Sequence, residues 1–214
     1  EYWDDYESLL AAPIQGSIYL DLRESTAKML RKNEFGIYPI GAVVPLMEDY
    51  RFRDLVNVVA ASKKGLGPGA PVHLFGAGHP MMFALAAALG CDLFDSAAYA
   101  LYARQGRYLT PRGTSHLENL RYLPCCCEVC QNYTPKELMN DEDRVKLLAM
   151  HNLYVSFQEM RLVKQCIWEG SLWELLESRC RSHPRMLEGL RALCDHRSWL
   201  EEQDLVSKST FFYL

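Results

Sequence analysis

The sequence predicts an α/β fold in which helices cover a parallel sheet. In residues 1–104, short apolar runs alternate with segments of helical periodicity. Strands that alternate with helices form right-handed βαβ units, whose strands are parallel. A cysteine cluster and a largely helical stretch follow. We therefore divide the 214 residues into a βα-repeat part (1–104), a metal-binding insertion (105–155) and a helical end (156–214).

Four strands are predicted in the first part, because four segments are rich in apolar or β-branched residues and are bounded by turn residues. They are residues 11–15, 36–44, 72–75 and 92–94, and helices are predicted between them at residues 21–31, 50–64 and 79–89. Four βα units make half of a TIM-type (β/α)8 barrel, which usually needs about 250 residues. The chain is too short to close such a barrel alone, so the sequence predicts a partial barrel.

Polar residues and glycines follow each predicted strand. They are Gln15-Gly16, Gly41-Ala42, residues 76–79 and Asp95-Ser96. In parallel α/β folds, active sites are built at this edge of the sheet. Each group by itself also fits a structural role, because glycines form turns and Asp or Ser caps helices. Because such residues follow every predicted strand, an active site at this edge is favoured over four separate structural roles.

Asp95 is the main candidate for chemistry at this edge. A carboxylate at the end of an apolar strand can act as a nucleophile or a general base. Asp92 lies at the start of the same strand and is interpreted as a cap. His79 competes for a substrate contact, but its position before a helix also fits a cap, and His73 fits a core histidine with satisfied hydrogen bonds. Gln15 offers a donor and an acceptor together, which suits the edge of a purine.

The cysteine cluster predicts a metal site. Cys125, Cys127 and Cys130 are followed by His151, and a Cys3His set suits tetrahedral Zn2+ and leaves no open position for a substrate. We therefore expect a structural zinc ion. The alternative is a set of buried free cysteines; a disulfide framework is not expected, since adjacent cysteines pair poorly and nothing resembles a secretory signal. Cys126 could be a spare thiol or exchange into the site, and we expect that it is not a ligand.

Residues 99–108 are predicted to form an inserted loop or hairpin that leads to the cluster. Arginines (Arg104, Arg107 and Arg112) alternate there with tyrosines, a mixture that suits nucleic-acid contact and equally fits a solvated loop. Thr134-Pro135 predicts a helix start. From residue 151, helices are predicted to about residue 168, from 171 to about 183, and from 184 to about 194. An apolar stripe of the first of these is expected to face the core; it consists of Leu153, Phe157, Met160, Val163 and Ile167.

Composition and charge limit the function classes. The chain has 49% apolar residues and a formal net charge of −4, and that charge argues against a chain that binds nucleic acid on its own. No apolar run in the sequence approaches the roughly 18 residues of a membrane span, so we expect a soluble protein, and unpaired cysteines favour a reducing cytoplasm. The chain begins without methionine and ends in an apolar run, as expected for a fragment.

Several segments together resemble the archaeal tRNA-guanine transglycosylases. They are residues 12–17 (APIQGS), 38–44 (YPIGAVV), 73–80 (HLFGAGHP), 92–96 (DLFDS) and the cysteine cluster with residues 151–153 (HNL). The resemblance implies a TIM barrel with a zinc-binding insertion. It also implies an enzyme that replaces the guanine at position 15, in the D-loop of tRNA, with 7-cyano-7-deazaguanine (preQ0) during archaeosine biosynthesis.

The resemblance assigns roles to particular residues. Asp95 matches the nucleophile that attacks the ribose C1′ and holds the RNA as a covalent aspartyl-ribose intermediate. Gln15 matches the glutamine that reads the base. The other implied substrate-binding positions are Gly16, Gly41, Ala42, Val43 and Val44, and the implied zinc ligands are Cys125, Cys127, Cys130 and His151.

Some features of the family are not in this sequence. These are an Asp-Ser-Gly-Gly motif with the second catalytic carboxylate, a further base-binding aspartate and an RNA-binding PUA domain; in addition, Ser17 replaces a usual glycine. We therefore expect the second half of a catalytic domain, inactive alone and completed by a homodimer mate or a partner chain. Two other functions stay open: a non-catalytic RNA-binding or dimerisation paralogue, and the related archaeosine synthase, against which the intact Asp95 strand argues.

Overall fold

The computed structural model describes residues 9–33 and 35–203. Three strands form a parallel sheet, namely β1 Tyr38–Ile40, β2 Val72–Leu74 and β3 Leu93–Phe94, and an antiparallel hairpin consists of β4 Arg107–Thr110 and β5 Gly113–His116. The helices are α1 Leu20–Leu30, α2 Val44–Glu48, α3 Phe52–Leu66, α4 Phe83–Ala88, α5 Ala98–Arg104, α6 Glu128–Asn132, α7 Pro135–Asn140, α8 Arg144–Glu169, α9 Leu172–Cys180, α10 Pro184–Asp195 and α11 Arg197–Gln203.

The strands of the parallel sheet lie in chain order, β1-β2-β3. Tyr38 pairs with Val72, and Leu74 pairs with Phe94. Before β1, residues 11 and 14 form isolated parallel bridges that extend the sheet by a further segment. Four consecutive βα units therefore lie side by side, as the alternating pattern predicts, and within the described residues the sheet does not close into a barrel.

The two faces of this sheet differ in how they are covered. Side chains alternate between the faces of a strand, and Ile14, Ile40 and Leu74 point into the main apolar core, where they are fully buried with side chains of α1, α3 and α4. On the opposite face, Phe75 and Leu93 are 52% and 49% exposed. In a closed barrel that face is the packed interior, so this half of a barrel leaves apolar interior surface uncovered.

The first two predicted strands are longer than the observed ones. Residues 11–15 make only the two isolated bridges, and the strand predicted over residues 36–44 is reduced to β1. Ala42 has φ +56°, a left-handed conformation that ends the extended run. Helix α2 then begins at Val44 with a proline in its first turn.

Two segments between strands also differ from their prediction. The helix predicted over residues 79–89 splits into a 3₁₀ turn, Pro80–Met82, and α4. Part of the segment predicted as a loop or hairpin, residues 98–104, forms α5 instead. The Ser96 hydroxyl accepts a hydrogen bond of 2.9 Å from the Ala98 N–H and so stabilises the start of this helix. The hairpin follows only after Gly106.

A second apolar cluster lies in the insertion. Its buried members are Ala103, Tyr108, Leu117, Cys127, Val129, Leu138 and Leu148. The helix start at Thr134 is confirmed, because the Thr134 hydroxyl accepts from the Glu137 N–H while the Glu137 carboxylate accepts from the Thr134 N–H, a capping box. The exact limits of the three-part division at residues 104 and 155 stay predictions.

The predicted stripe of the long helix α8 faces the core only in part. Val163 is buried and Met160 packs against the core, but Leu153, Phe157 and Ile167 are 38%, 58% and 54% exposed. The buried side consists of Leu148, His151, Asn152, Val155, Glu159, Val163 and Cys166. Several of these are polar residues with internal partners, which apolar periodicity alone does not find.

Glu159 shows how this polar side is satisfied. Its carboxylate accepts hydrogen bonds of 2.7 and 2.9 Å from Nε and Nη2 of Arg179 in α9, a paired arrangement that compensates a buried charge. The predicted breaks between the C-terminal helices are confirmed, with Gly170 in a left-handed conformation (φ +72°) after α8 and Pro184 in the first turn of α10. No helix within the described ranges is both long and apolar enough to cross a membrane.

Helices α1 and α3 pack closely enough to require a glycine. A Cβ atom at Gly65 would lie 2.5 Å from the Glu24 carbonyl oxygen and 2.6 Å from the Ala27 Cβ. We expect Gly65→Ala to lower the free energy of unfolding by about 1–3 kcal/mol, as measured by urea denaturation. Gly69→Ala is the control, because no atom lies within 4 Å of its added Cβ. If the two variants had the same free energy of unfolding, the explanation that a side chain at position 65 disturbs the packing of α1 on α3 would be wrong.

Candidate active site and metal centre

Asp95 lies directly after β3, at the carboxyl edge of the parallel sheet. Its Oδ1 accepts a hydrogen bond of 2.8 Å from His73 Nε2 and another of 2.8 Å from the Gly76 N–H. Its Oδ2 has no hydrogen-bond partner in the described part of the chain, and the side chain is 50% exposed. One oxygen is therefore held by the protein while the other is open to a ligand.

His73 differs from its sequence interpretation. Nε2 of its ring has a hydrogen-bond partner, but this partner is Asp95 at the sheet edge and not a group of the core. The side chain of His73 is 17% exposed. It points away from the main core because Val72 and Leu74, its neighbours in β2, are fully buried on the other face. If the register of β2 and β3 had been known, the alternation of side chains along each strand would have predicted that His73 and Asp95 lie on the same face of the sheet.

Asp95 borders a cavity of about 310 Å³, a size at the lower end of small-molecule sites. Val44, Gly76, His79, Ser96 and Tyr102 are among the residues that line it. Gly76 has φ +75°, and a Cβ there would lie 2.5 Å from Cγ2 of Val44. Glycine is therefore needed to bring the chain after β2 next to both Val44 and the Asp95 carboxylate.

The six predicted substrate-binding residues are not equally accessible. Of these six residues, only Val44 is among those that line the cavity beside Asp95. Gln15 and Ala42 are exposed, Gly16 is half-buried, and Gly41 is buried beneath the Gln15 amide, whose Nε2 overlaps the place of a Gly41 Cβ. The side chain of Val43 lies fully within the core, so Val43 can offer a ligand its backbone alone.

Arg23 supports the loop that presents Gln15, and the sequence reading missed it. Its fully buried guanidinium donates from Nε to the Ser17 carbonyl at 2.8 Å and from Nη1 to the Ile14 carbonyl at 2.9 Å. Ser17 has φ +51°, the left-handed region that favours glycine. This conformation explains why glycine is expected at position 17. In this chain the residue is serine, and the hydrogen bonds from Arg23 hold the loop in the same left-handed conformation.

His79 has the structural role that its position before a helix predicts. Its Nδ1 accepts from the Met81 N–H at 3.2 Å, and Nε2 then carries the proton that it donates to Thr114 Oγ1 at 2.8 Å. Burial, with smaller effects of His183 and Arg107, lowers the pKa of His79 to about 4. His79 is therefore a neutral cap that joins the sheet edge to strand β5.

The predicted metal ligands come together. One donor atom each of Cys125, Cys127, Cys130 and His151 lies within 4.8 Å of the others. His151 Nδ1 is 3.5 Å from Sγ of Cys127 and 3.3 Å from Sγ of Cys130. The opposite ring nitrogen, Nε2, donates to the Leu109 carbonyl at 3.1 Å. This hydrogen bond fixes the tautomer that leaves the Nδ1 lone pair facing the thiols, as in protein metal sites.

Neighbouring side chains hold the cluster in place. Tyr108 stacks on the His151 ring at 3.7 Å, and its hydroxyl lies 3.3 Å from Cys130 Sγ. Asn152 accepts from the Leu109 N–H and donates to the carbonyls of Arg107 and Tyr99. Helix α8 is thereby tied to β4 and to α5, the helix that follows Asp95.

The donor chemistry fits a metal cation. Burial lowers the pKa of His151 to about 4 and so keeps the imidazole neutral, the form that coordinates a metal. Burial also raises the pKa of Cys125 and of Cys130, and a bound cation reverses that penalty by stabilising thiolates. Cys126 is exposed and is not part of the cluster; that it is not a ligand stays a prediction.

The fold and these sites define an α/β protein with a Cys3His cluster that could hold a metal ion, and comparisons with known proteins identify its family. A family model described as queuine tRNA-ribosyltransferase (TGT) matches residues 1–185. The chain belongs to this TGT family. The family implies a TIM-type fold, of which the described residues contain one parallel sheet and no closed barrel.

Relatives from several archaea are similar over almost the whole chain. The chain is 62% identical over 207 residues to the tRNA-guanine(15) transglycosylase of Methanosarcina barkeri, which covers 97% of this chain and 42% of that protein. It is 58% identical over 212 residues to the tRNA-guanine(15) transglycosylase of Haloferax volcanii, which covers 98% and 41%. The corresponding protein of Methanococcus maripaludis is 58% identical over 214 residues, with 97% and 33% covered. The chain thus spans 33–42% of the length of these curated relatives.

We expect the cluster to bind a metal ion through Cys125, Cys127, Cys130 and His151, and not through Cys126. Cys130→Ser should lose the ion, because serine is a poor ligand for a thiolate site. Cys126→Ser, the matched control, should retain it. The measurement is metal content after gel filtration, determined by plasma emission spectroscopy, together with the absorption of a Co2+-substituted sample. Equal metal loss in both variants would contradict the assignment.

Proposed function

We propose that this chain is the half of a tRNA-guanine transglycosylase catalytic domain that contains the nucleophile, and that the complete domain replaces guanine 15 of tRNA with preQ0. The arrangement of Asp95 is the observation that supports this most strongly. Oδ1 of Asp95 is held by two donors, Oδ2 has no hydrogen-bond partner within the described residues, and Asp95 borders a cavity at the sheet edge. The relatives named tRNA-guanine(15) transglycosylases supply the reaction class.

The first step is a displacement at the ribose C1′. A lone pair of the Asp95 carboxylate forms a bond to C1′ while the C1′–N9 bond breaks, and that electron pair leaves with guanine, which takes up a proton from solvent or from a group outside this chain. Positive charge of oxocarbenium type develops on the ribose. The Asp95 carboxylate stabilises this charge and then forms the bond to C1′. The product is an aspartyl-ribose intermediate that keeps the RNA attached.

The second step reverses the first with a different base. N9 of preQ0 loses its proton and attacks C1′, and the electrons of the C1′–O bond return to Asp95. The proton taken up by guanine balances the proton released by preQ0. Two displacements at one carbon retain the configuration of the ribose.

The base pocket is proposed at the strand ends before Asp95. Gln15 would read the purine edge with its amide, which rests on Gly41. Ala42 and Val44 are exposed at the turn after β1, and Gly16 and Val43 would contribute backbone groups. The left-handed φ of Ala42 turns the chain there, so the backbone between Gly41 and Val44 is presented at the sheet edge.

The metal is proposed to be Zn2+, held by Cys125, Cys127, Cys130 and His151. Three thiolates and an imidazole suit this ion, and four protein ligands leave it no open position for a substrate. Its role would be structural, since the Asn152 hydrogen bonds extend from the cluster to the Arg107 and Tyr99 carbonyls. A closed zinc site would therefore hold α8, β4 and α5 together.

The remaining barrel half is proposed to come from further polypeptide, either of the same protein or of a partner chain. Phe75 and Leu93 leave the inner face of the sheet exposed, and among the described residues β3 is paired only with β2. The tRNA would meet the arginines near the hairpin, of which Arg104 and Arg112 are exposed while Arg107 stacks over Tyr102 at 5.3 Å. The net charge of −4 means that most of the tRNA affinity has to come from elsewhere.

The test is base exchange by the chain within its full-length protein, or co-expressed with the polypeptide that supplies the other barrel half. Native protein should incorporate labelled preQ0 into tRNA, and Asp95→Asn should lower the rate at least about a thousandfold, because an amide is no nucleophile for C1′. The readout is label retained in acid-precipitated tRNA.

Asp92→Asn is the matched control. Asp92 lies before β3, at the opposite end of that strand from Asp95, and its carboxylate accepts a hydrogen bond of 2.8 Å from the Val72 N–H. This variant should exchange bases at nearly the native rate. A native protein that binds tRNA and metal but incorporates no label would favour a non-catalytic paralogue over the proposed enzyme.

A further inference from the structure

His73 faces the proposed nucleophile across two neighbouring strands. Its Nε2 lies 2.8 Å from Asp95 Oδ1, and the Gly76 N–H donates to the same oxygen at 2.8 Å. We propose that His73 is a positioning residue that fixes the Asp95 carboxylate so that Oδ2 is the oxygen that attacks C1′. This inference rests on the proposed function and adds to it which oxygen reacts and which side chain selects it.

The parallel register fixes the position of the donor. His73 pairs with Leu93 in the ladder between β2 and β3, so Asp95, two residues after Leu93, projects from the same face of the sheet. The His73 ring also contacts the Phe75 ring, with centroids 5.3 Å apart. A donor that projects from the middle strand of the described sheet and touches a neighbouring ring has little freedom to move away from the carboxylate.

The protonation pattern follows from hydrogen-bond chemistry. An ionised carboxylate only accepts, so Nε2 of His73 is the protonated nitrogen. The terminal torsion of an aspartate is broad and roughly two-fold, and without partners its two oxygens would exchange places. Two donors on Oδ1 remove this freedom and leave Oδ2 without a partner within the described residues, on a side chain that borders the cavity.

The same contacts change during the reaction. When Oδ2 bonds to C1′, Oδ1 becomes the carbonyl oxygen of an ester and loses its share of the negative charge. The hydrogen bonds from His73 and Gly76 then weaken from charge-assisted to neutral ones. When preQ0 displaces the ester, the charge returns to a carboxylate that is already hydrogen-bonded, so the donors act on the chemical steps and not on binding of tRNA or base.

The test compares variants of His73 in the complete enzyme. His73→Gln keeps an N–H near the place of Nε2, whereas His73→Asn is too short to reach Oδ1 and His73→Phe has no donor. We expect kcat for base exchange to fall about 10- to 100-fold in the Asn and Phe variants, since a misplaced reacting group costs on this order. KM for tRNA and for preQ0 should stay within about threefold, and Gln should restore most of kcat.

His196→Phe is the control for losing a histidine hydrogen bond elsewhere. His196 Nε2 lies 3.0 Å from Asn57 Oδ1, on the helical side of the sheet, and this variant should keep the native kcat. Thermal unfolding and metal content show which variants are folded, and the shorter Asn variant serves if Phe does not fold.

The outcomes separate this inference from the proposed function. An unchanged kcat in folded Asn or Phe variants, or an equal loss in Gln, would overturn the role of His73 while native exchange leaves the enzyme assignment intact. Absence of exchange by the native protein would overturn the proposed function and the role of His73 with it.

Discussion

The parallel pairing of β2 and β3 is the constraint on which the candidate site depends. That register brings His73 and Gly76 of one βα unit to the carboxylate of Asp95 in the next, and both donors reach the same oxygen at 2.8 Å. Gly76 can approach this closely because it has no side chain and adopts φ +75°. Behind the sheet, a fully buried apolar core that includes Ile14, Ile40 and Leu74 keeps the strand ends fixed. The candidate nucleophile, directly after β3, is thus placed by the register of the two strands that precede it and its donors, and strands hold a site more rigidly than loops do.

The metal cluster and the candidate active site are separate in chemistry but connected in structure. His151 and Asn152 are consecutive on α8, where His151 faces the thiols and Asn152 bonds to β4 and to the Tyr99 carbonyl in α5. Helix α5 starts immediately after Asp95-Ser96, and the Ser96 hydroxyl accepts from its first N–H. His79 adds a second link from the sheet edge to the hairpin through Thr114. A metal ion would therefore stabilise the surroundings of Asp95 without taking part in the reaction.

Local chemistry was predictable from the sequence, while partners across the fold were not. The candidate metal cluster was found because its three cysteines lie within six residues and a histidine completes a Cys3His set, and the Thr134 helix start because its signal spans only a few residues. The parallel sheet followed from alternation of strands and helices, and the family from its motifs. His73 was interpreted as a core histidine and Arg23 was missed, because their partners, Asp95 and the carbonyls of Ile14 and Ser17, are set by register and loop geometry. The buried face of α8 was predicted only in part: Met160 and Val163 face the core as expected, but His151, Asn152 and Glu159 are buried as polar residues, which apolar periodicity does not count.

The central claim is that Asp95 becomes covalently attached to the ribose during base exchange. The most direct measurement is acid quenching of the complete enzyme with tRNA in the absence of an incoming base, followed by nuclease and protease digestion and mass spectrometry of the peptides. We expect a nucleotide-derived mass on the peptide that contains Asp95, with fragmentation that places it on that side chain. Attachment to a different carboxylate, or base exchange at the native rate without any adduct on Asp95, would contradict the account.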